Sequence, residues 1–150
     1  MHLSRQKEHA VERYQTEDDM DMSILVLEGN SLTFSGAKNP LYFIQNGELQ
    51  IVKGSKYPVG SKQYGHEKQF DMHQFSIQPK DVVYIFSDGF QDQFGGKKHK
   101  KYLTKRFRQL LYSMHQLPTA EQQSMLNNEL KSWKGTHEQT DDILVIGLKF

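Results

Sequence analysis

The chain has 150 residues, 19 Lys+Arg against 18 Asp+Glu, and 36% hydrophobic residues, which suits one domain, or a large part of one, with a real core. The near-even charge balance excludes a basic nucleic-acid arm or an acidic disordered tail as the dominant feature. The absence of cysteine excludes a disulfide framework, a thiolate zinc site and a cysteine nucleophile. Apolar runs such as Ile24–Leu27 and Val82–Phe86 are far too short to span a membrane, and the polar opening Met1–Glu8 carries no secretory signal. A cytoplasmic chain without direct membrane contact is expected.

Residues 3–14 offer only a thin apolar stripe (Leu3, Ala10, Val11, Tyr14) and predict a marginal helix. Met22–Glu28 reads as a buried strand, Gly29-Asn30 as a turn, and Leu32–Ser35 as the start of a second strand. Leu41–Gln45 and Glu48–Val52 flank Asn46-Gly47, a strong hairpin signal because both residues tolerate the positive φ of a type I′ turn. The first eighty residues are therefore expected to form an antiparallel meander. Lys53–Gln69 reads as a loop and Phe70–Gln78 as an edge strand. Val82–Phe86, β-branched and aromatic throughout, is the best buried strand, and it ends abruptly at Ser87-Asp88-Gly89.

The period then changes. Leu103, Phe107, Leu110, Leu111, Met114 and Leu117 recur at three- and four-residue steps and predict a core-facing helix. Beyond Pro118-Thr119 a second helix carries Leu126, Leu130 and Trp133 on one face and ends at Gly135. Ile143–Leu148 closes the chain as a strand. Strands, two helices and a strand give an α+β fold with the helices on one sheet face. Met20, Met22, Met72, Met114 and Met125 are expected to fill core or near-core positions.

Two aspartate sites stand at strand ends. Asp88 follows a buried strand with Asp92 four residues on, and Asp141-Asp142 precedes the last strand. If those strands are neighbours, three or four carboxylates meet, and clustered carboxylates suit a hard divalent cation such as Mg²⁺ or Mn²⁺. Asp-Gly also serves a turn and Asp-Asp a solvated approach to a strand, so spacing alone leaves both readings open. Lys97-Lys98-His99-Lys100-Lys101, continued by Lys105, Arg106 and Arg108, is the only concentrated charge. With Tyr102 its one nearby stacking aromatic, it reads as a solvated loop rather than a nucleic-acid surface. The seven histidines form no H-x-x-x-H or H-E-x-x-H pattern. Ser87 lacks the flanking glycines of a nucleophile elbow, and Gly95-Gly96 lacks the G-K-[ST] of a phosphate loop.

The string Phe86-Ser87-Asp88-Gly89-Phe90-Gln91-Asp92-Gln93-Phe94-Gly95-Gly96 resembles the F-[ST]-D-G-x-x-D-Q-x-G-G segment of SpoIIE-type phosphatases, a bacterial branch of the metal-dependent type 2C protein phosphatases. Phe34–Tyr42 resembles that family's F-A-G-A-x-N-P-L-Y, and Tyr57–Gly60 its x-P-[ILV]-G. Trp133–Gly135 and Gln139–Ile143 resemble its W-x-G and Q-x-D-D-[IV]. Order and spacing agree from about residue 10 to residue 150.

The resemblance implies a β-sandwich flanked by helices and a pair of Mn²⁺ or Mg²⁺ ions that activate water against phosphoserine or phosphothreonine. Asp88 and Asp141 match two carboxylates of the metal pair, and Asp92 one that helps hold a third ion in some members. Gly89 matches the turn that exposes the ligand, and Asp142 falls beside the ligands rather than among them. Asp18-Asp19-Met20-Asp21 resembles a D-G-M-D approach to a strand, with Asp19 replacing Gly, in a region that is structural in the family. The family's opening G-D-x-x-[DW] and D-G-H-G motifs, which supply further ligands, do not occur. Residues 1–150 are thus expected to form the C-terminal two thirds of such a domain, incomplete at its N-terminus and able to dimerise through uncovered edges. Implied partners are a phosphoprotein, such as an anti-sigma-factor antagonist, and an upstream sensor domain, with no nucleic acid. The competing expectation is a non-catalytic binding or dimerisation fragment.

Overall fold

A computed structural model describes residues 19–60 and 69–150. Six strands come first: β1 (Met22–Glu28), β2 (Ser31–Ala37), β3 (Leu41–Gln45), β4 (Glu48–Val52), β5 (Met72–Ser76) and β6 (Val82–Phe86). A one-turn helix α1 (Gly89–Asp92) leads to a minimal hairpin, β7 (Phe94–Gly95) with β8 (Lys100–Lys101). Helices α2 (Thr104–Met114) and α3 (Thr119–Lys134) precede the last strand, β9 (Val145–Lys149). The α+β expectation is met. The helix expected at residues 3–14 and part of the loop expected over Lys53–Gln69 lie outside the described residues.

Two antiparallel sheets, ordered β1-β2-β5 and β4-β3-β6-β9, stack face to face. Leu32 and Phe34 of β2 meet Leu41 and Phe43 of β3 and Val83 of β6 between them. The opposite face of the second sheet presents Tyr42, Ile44, Val82, Tyr84 and Phe86 to Phe90, Phe107, Leu111 and Met114. Strands β3 and β6 are therefore covered on both faces, which is why Leu41–Ile44 and Val82–Phe86 are apolar without alternation. Asn46 and Gly47 take φ of 52° and 76°, the left-handed pair that closes the β3–β4 hairpin with Gln45 opposite Glu48.

Several expectations change. The chain does not run as one meander, because it crosses from the first sheet to the second between β2 and β3 and returns for β5. Gly36 permits that corner: a Cβ there would stand 2.4 Å from the Asn39 carbonyl oxygen. Strand β1 is not buried. Among the described residues it is a sheet edge, where Ile24 is 50% exposed beside Ser35 and Val26 is exposed beside Thr33 on the outer face. An unbroken apolar run cannot report which of its faces lacks a neighbour. Met72 is 77% exposed, and Met20 and Met125 are also exposed, whereas Met114 is buried as expected. Leu103 does not open the core stripe of α2; it precedes the helix with φ 78° and lies 61% exposed.

A polar tie joins the helical layer to the sheet. The Tyr84 hydroxyl donates to Gln122 Oε1 at 2.7 Å, and Gln122 Nε2 donates to the carbonyls of Leu117 (2.9 Å) and His115 (3.2 Å). Burial pushes the Tyr84 hydroxyl well above its ordinary pKa, so it stays a donor at all working pH values. Replacing Gln122 with Leu strands a buried hydroxyl and two carbonyls, and urea denaturation is expected to show a loss of about 2–3 kcal/mol. Tyr84→Phe removes only one bond and is expected to cost about 1 kcal/mol.

Candidate metal centre

The centre is built where β6 ends beside the segment that leads into β9. Val82–Phe86 pairs with Val145–Lys149, and the pairing continues past both strands as side chains take over from the ladder. Ser87 N–H donates to the Leu144 carbonyl at 3.0 Å. Its hydroxyl donates to the Asp142 carbonyl at 2.8 Å and accepts the Leu144 N–H at 2.9 Å. Gly89 packs directly on the same segment, since a Cβ there would stand 2.3 Å from the Asp142 carbonyl oxygen. Serine and glycine thus act as a clasp, and Asp142 enters it through its backbone while its side chain stays exposed.

Within the clasp, Asp88 occupies the position before α1 and makes no side-chain capping bond, so its carboxylate is left available. Partial burial pushes the Asp88 pKa up, and the negative charges of Asp141, Asp92 and, more weakly, Asp21 push it the same way against its backbone hydrogen bond. Asp92 sits one turn on, its N–H bonded to the Asp88 carbonyl at 3.0 Å, and it pairs with Lys101 Nζ at 3.1 Å. Asp141 Oδ1 accepts the Asp142 N–H at 2.7 Å, and its carbonyl accepts Gln139 Nε2 at 2.8 Å, which fixes the local loop.

Asp88, Asp92 and Asp141 are therefore electrostatic neighbours, with Gly89 and Asp142 forming the contact between the two segments. Asp21 was not singled out from the sequence as a site residue. Its placement follows from the Met20–Val59 bridge (2.9 and 2.8 Å) just ahead of β1, which no local pattern announces. Among the described residues, no three carboxylate or imidazole groups converge closely enough to hold an ion by themselves. The donor chemistry nevertheless fits Mg²⁺ or Mn²⁺, because the oxygens are hard, they repel one another, and such ions take one or two carboxylates and keep their waters.

Residues 5–150 match the family Stage II sporulation protein E (SpoIIE). The chain belongs to the SpoIIE family. Among solved structures, the SiaA PP2C domain of Pseudomonas aeruginosa is similar at 30% identity and TM-score 0.72, covering 81% of this chain and 47% of that one. The phosphatase domain of SpoIIE from Bacillus subtilis has 17% identity and TM-score 0.56, covering 87% of this chain and 57% of that one. The serine/threonine phosphatase PstP of Mycobacterium tuberculosis has 13% identity and TM-score 0.56, covering 87% and 60%. The chain thus spans about half the length of the first of these structures. At these lower identities the likeness shows the fold. No curated protein matches the chain.

Two outcomes test this geometry. Ser87→Ala deletes both hydroxyl bonds of the clasp and is expected to lower stability by about 1–2 kcal/mol in urea, whereas Gly89→Ala is expected to cost more because backbone must move. Asp88 titrates with a raised folded-state pKa, so the folded chain holds its proton more tightly and stability falls as pH rises through that range. In EDTA, Asp88→Asn should melt slightly higher than the parent at pH 7 and equally at pH 3, the gain staying below about 1 kcal/mol because the carboxylate is exposed and screened.

Proposed function

We propose that this chain carries the Asp88–Asp141 carboxylate pair of a metal-dependent protein serine/threonine phosphatase. The observation behind this reading is the clasp that keeps two carboxylates of like charge within electrostatic reach of each other, with no side-chain capping bond from Asp88. A divalent ion bound there supplies charge stabilisation to a phosphoryl group and lowers the pKa of water. Asp88 and Asp141 would hold the ion, and Asp92 would contribute more weakly because Lys101 already neutralises it. Ser87, Gly89 and the Asp142 backbone would keep the two carboxylates in register.

The substrate class is phosphoserine or phosphothreonine on a regulatory protein in bacterial signalling, such as an anti-sigma-factor antagonist, under the control of an upstream sensor domain. Relatives named as a cell fate determinant and as a regulatory component of a secretion system support a regulatory setting. No helix of the described residues is long and apolar enough to cross a membrane, and a cytoplasmic setting is part of the proposal.

A second reading, a non-catalytic binding or dimerisation module, draws on the exposed apolar residues Ile24 and Val26 of β1 and Leu144 and Ile146 at β9. Both strands lie at sheet edges among the described residues. Calorimetric titration separates the two readings. The chain is expected to bind Mn²⁺ weakly, with Asp88→Asn or Asp141→Asn abolishing binding and Asp92→Asn reducing it only a few-fold. Slow hydrolysis of p-nitrophenyl phosphate that disappears in the same variants supports the phosphatase reading. Absence of Mn²⁺ binding, with concentration-dependent self-association in light scattering, supports the module.

A further inference from the structure

Away from the carboxylates, two histidines from different elements meet. His99 lies in the turn of the β7–β8 hairpin, and His137 lies in the loop between α3 and β9. Their Nδ1 atoms stand 3.1 Å apart, with ring centroids separated by 4.5 Å. The His99 ring is held from behind, and the His137 backbone is fixed at the end of α3. His99 stacks on Phe94 at 5.1 Å with 24° between the planes, and its N–H bonds to the Gly96 carbonyl. The His137 N–H bonds to the Lys134 carbonyl at 2.9 Å. Trp133 locks the two elements together, because its carbonyl accepts the Gly96 N–H at 2.9 Å and its indole N–H donates to the Gln93 carbonyl at 2.9 Å.

We propose that His99 and His137 form a two-imidazole site for a borderline transition-metal ion, Zn²⁺ above all, distinct from the aspartate centre. Two nitrogens each about 2.0–2.1 Å from one zinc ion lie ~2.9–3.4 Å apart for bond angles between square and tetrahedral, and the observed separation falls inside that range. Imidazole nitrogen suits Zn²⁺, Cu²⁺ and Ni²⁺ and is a poor ligand for Mg²⁺ or Mn²⁺, so the two centres differ in ion class. Without an ion, one Nδ1–H can donate to the other Nδ1. The ion takes both lone pairs, the donating ring shifts its proton to Nε2, and water completes the coordination.

The environment sets the strength. Lys97, Lys98 and Lys100 are exposed around His99 and repel a dication, while Lys101 is neutralised by Asp92. Binding is therefore weak, and it strengthens as salt screens the lysines, opposite to the behaviour of a carboxylate site. An ion seated here ties the hairpin to the loop that runs on to Gln139 and Asp141.

The test is calorimetric titration of Zn²⁺ into the chain carrying Asp141→Asn, which silences the aspartate centre, in sodium nitrate at low and high concentration. The expected result is one site whose affinity rises with salt. It should weaken at least tenfold in His99→Ala and in His137→Ala and stay unchanged in His73→Ala. Thermal melting gives an independent readout: a hundredfold excess of Zn²⁺ over its dissociation constant should raise the midpoint by roughly 5–10 °C in the parent and not in the His99 or His137 variants. Mn²⁺ should give no such shift in the Asp141→Asn background. Zinc binding that survives both histidine substitutions, that falls with salt, or that is absent at millimolar Zn²⁺ overturns the proposal.

Discussion

The clasp between residues 87–89 and 142–144 is the constraint on which the centre depends. Strand pairing brings β6 and β9 together, but ladder hydrogen bonds end with the strands, and both carboxylates of interest lie beyond those ends. One serine hydroxyl that donates and accepts, with one glycine that lets backbone touch backbone, extends the pairing across the gap. Serine is small enough to do this and has both hydrogen-bonding roles. Nothing larger than hydrogen fits at Gly89. The F-S-D-G string is thus a joint first, and under the proposed function a ligand-bearing segment second.

A comparable joint organises the neighbouring elements around Trp133. A Cβ at Gly95 would stand 2.0 Å from the Trp133 carbonyl oxygen, so the paired glycines are a packing surface for the end of α3 and not a phosphate cradle. Tyr102 meets the indole edge-on, and the Arg106 guanidinium lies 4.4 Å from its ring centre while pairing with Glu129. Gln93, fully buried, reaches from the end of α1 to the Glu138 carbonyl at 2.8 Å. These contacts bind the hairpin, α3 and the loop before β9 into one block, so the lysine-rich turn is presented from a fixed base.

Electrostatics explain why such rigidity is needed. Partial burial and the charges of Asp141, Asp92 and Asp21, drawn from three chain segments, raise the proton affinity of Asp88, an arrangement that opposes folding unless packing enforces it or a cation relieves it. The core supplies the enforcement through sheet β4-β3-β6-β9, filled on both faces. Lys101 relieves one carboxylate, Asp92, and among the described residues no cationic side chain pairs with Asp88 or Asp141. That asymmetry distinguishes carboxylates that would hold an ion from one that is already paired.

The sequence determined those features whose cause lies in neighbouring residues: the Asn46-Gly47 turn, the doubly covered Val82–Phe86 strand, the helices punctuated by Pro118 and Gly135, and the aspartates at strand ends. Each follows from backbone preference or periodicity within a dozen residues. Tertiary structure decided what depends on distant partners. It left β1 as an exposed edge among the described residues although its composition reads as core, because burial is set by what lies across the sheet. It sent β3 to the other sheet through a corner closed by Gly36 against Asn39. It brought Asp21 near Asp88, and His99 against His137 across 38 residues, through contacts that no local pattern encodes. Local chemistry names the groups available to a site; only the long-range pairing of β6 with β9, and of the hairpin with α3, sets the distances between them.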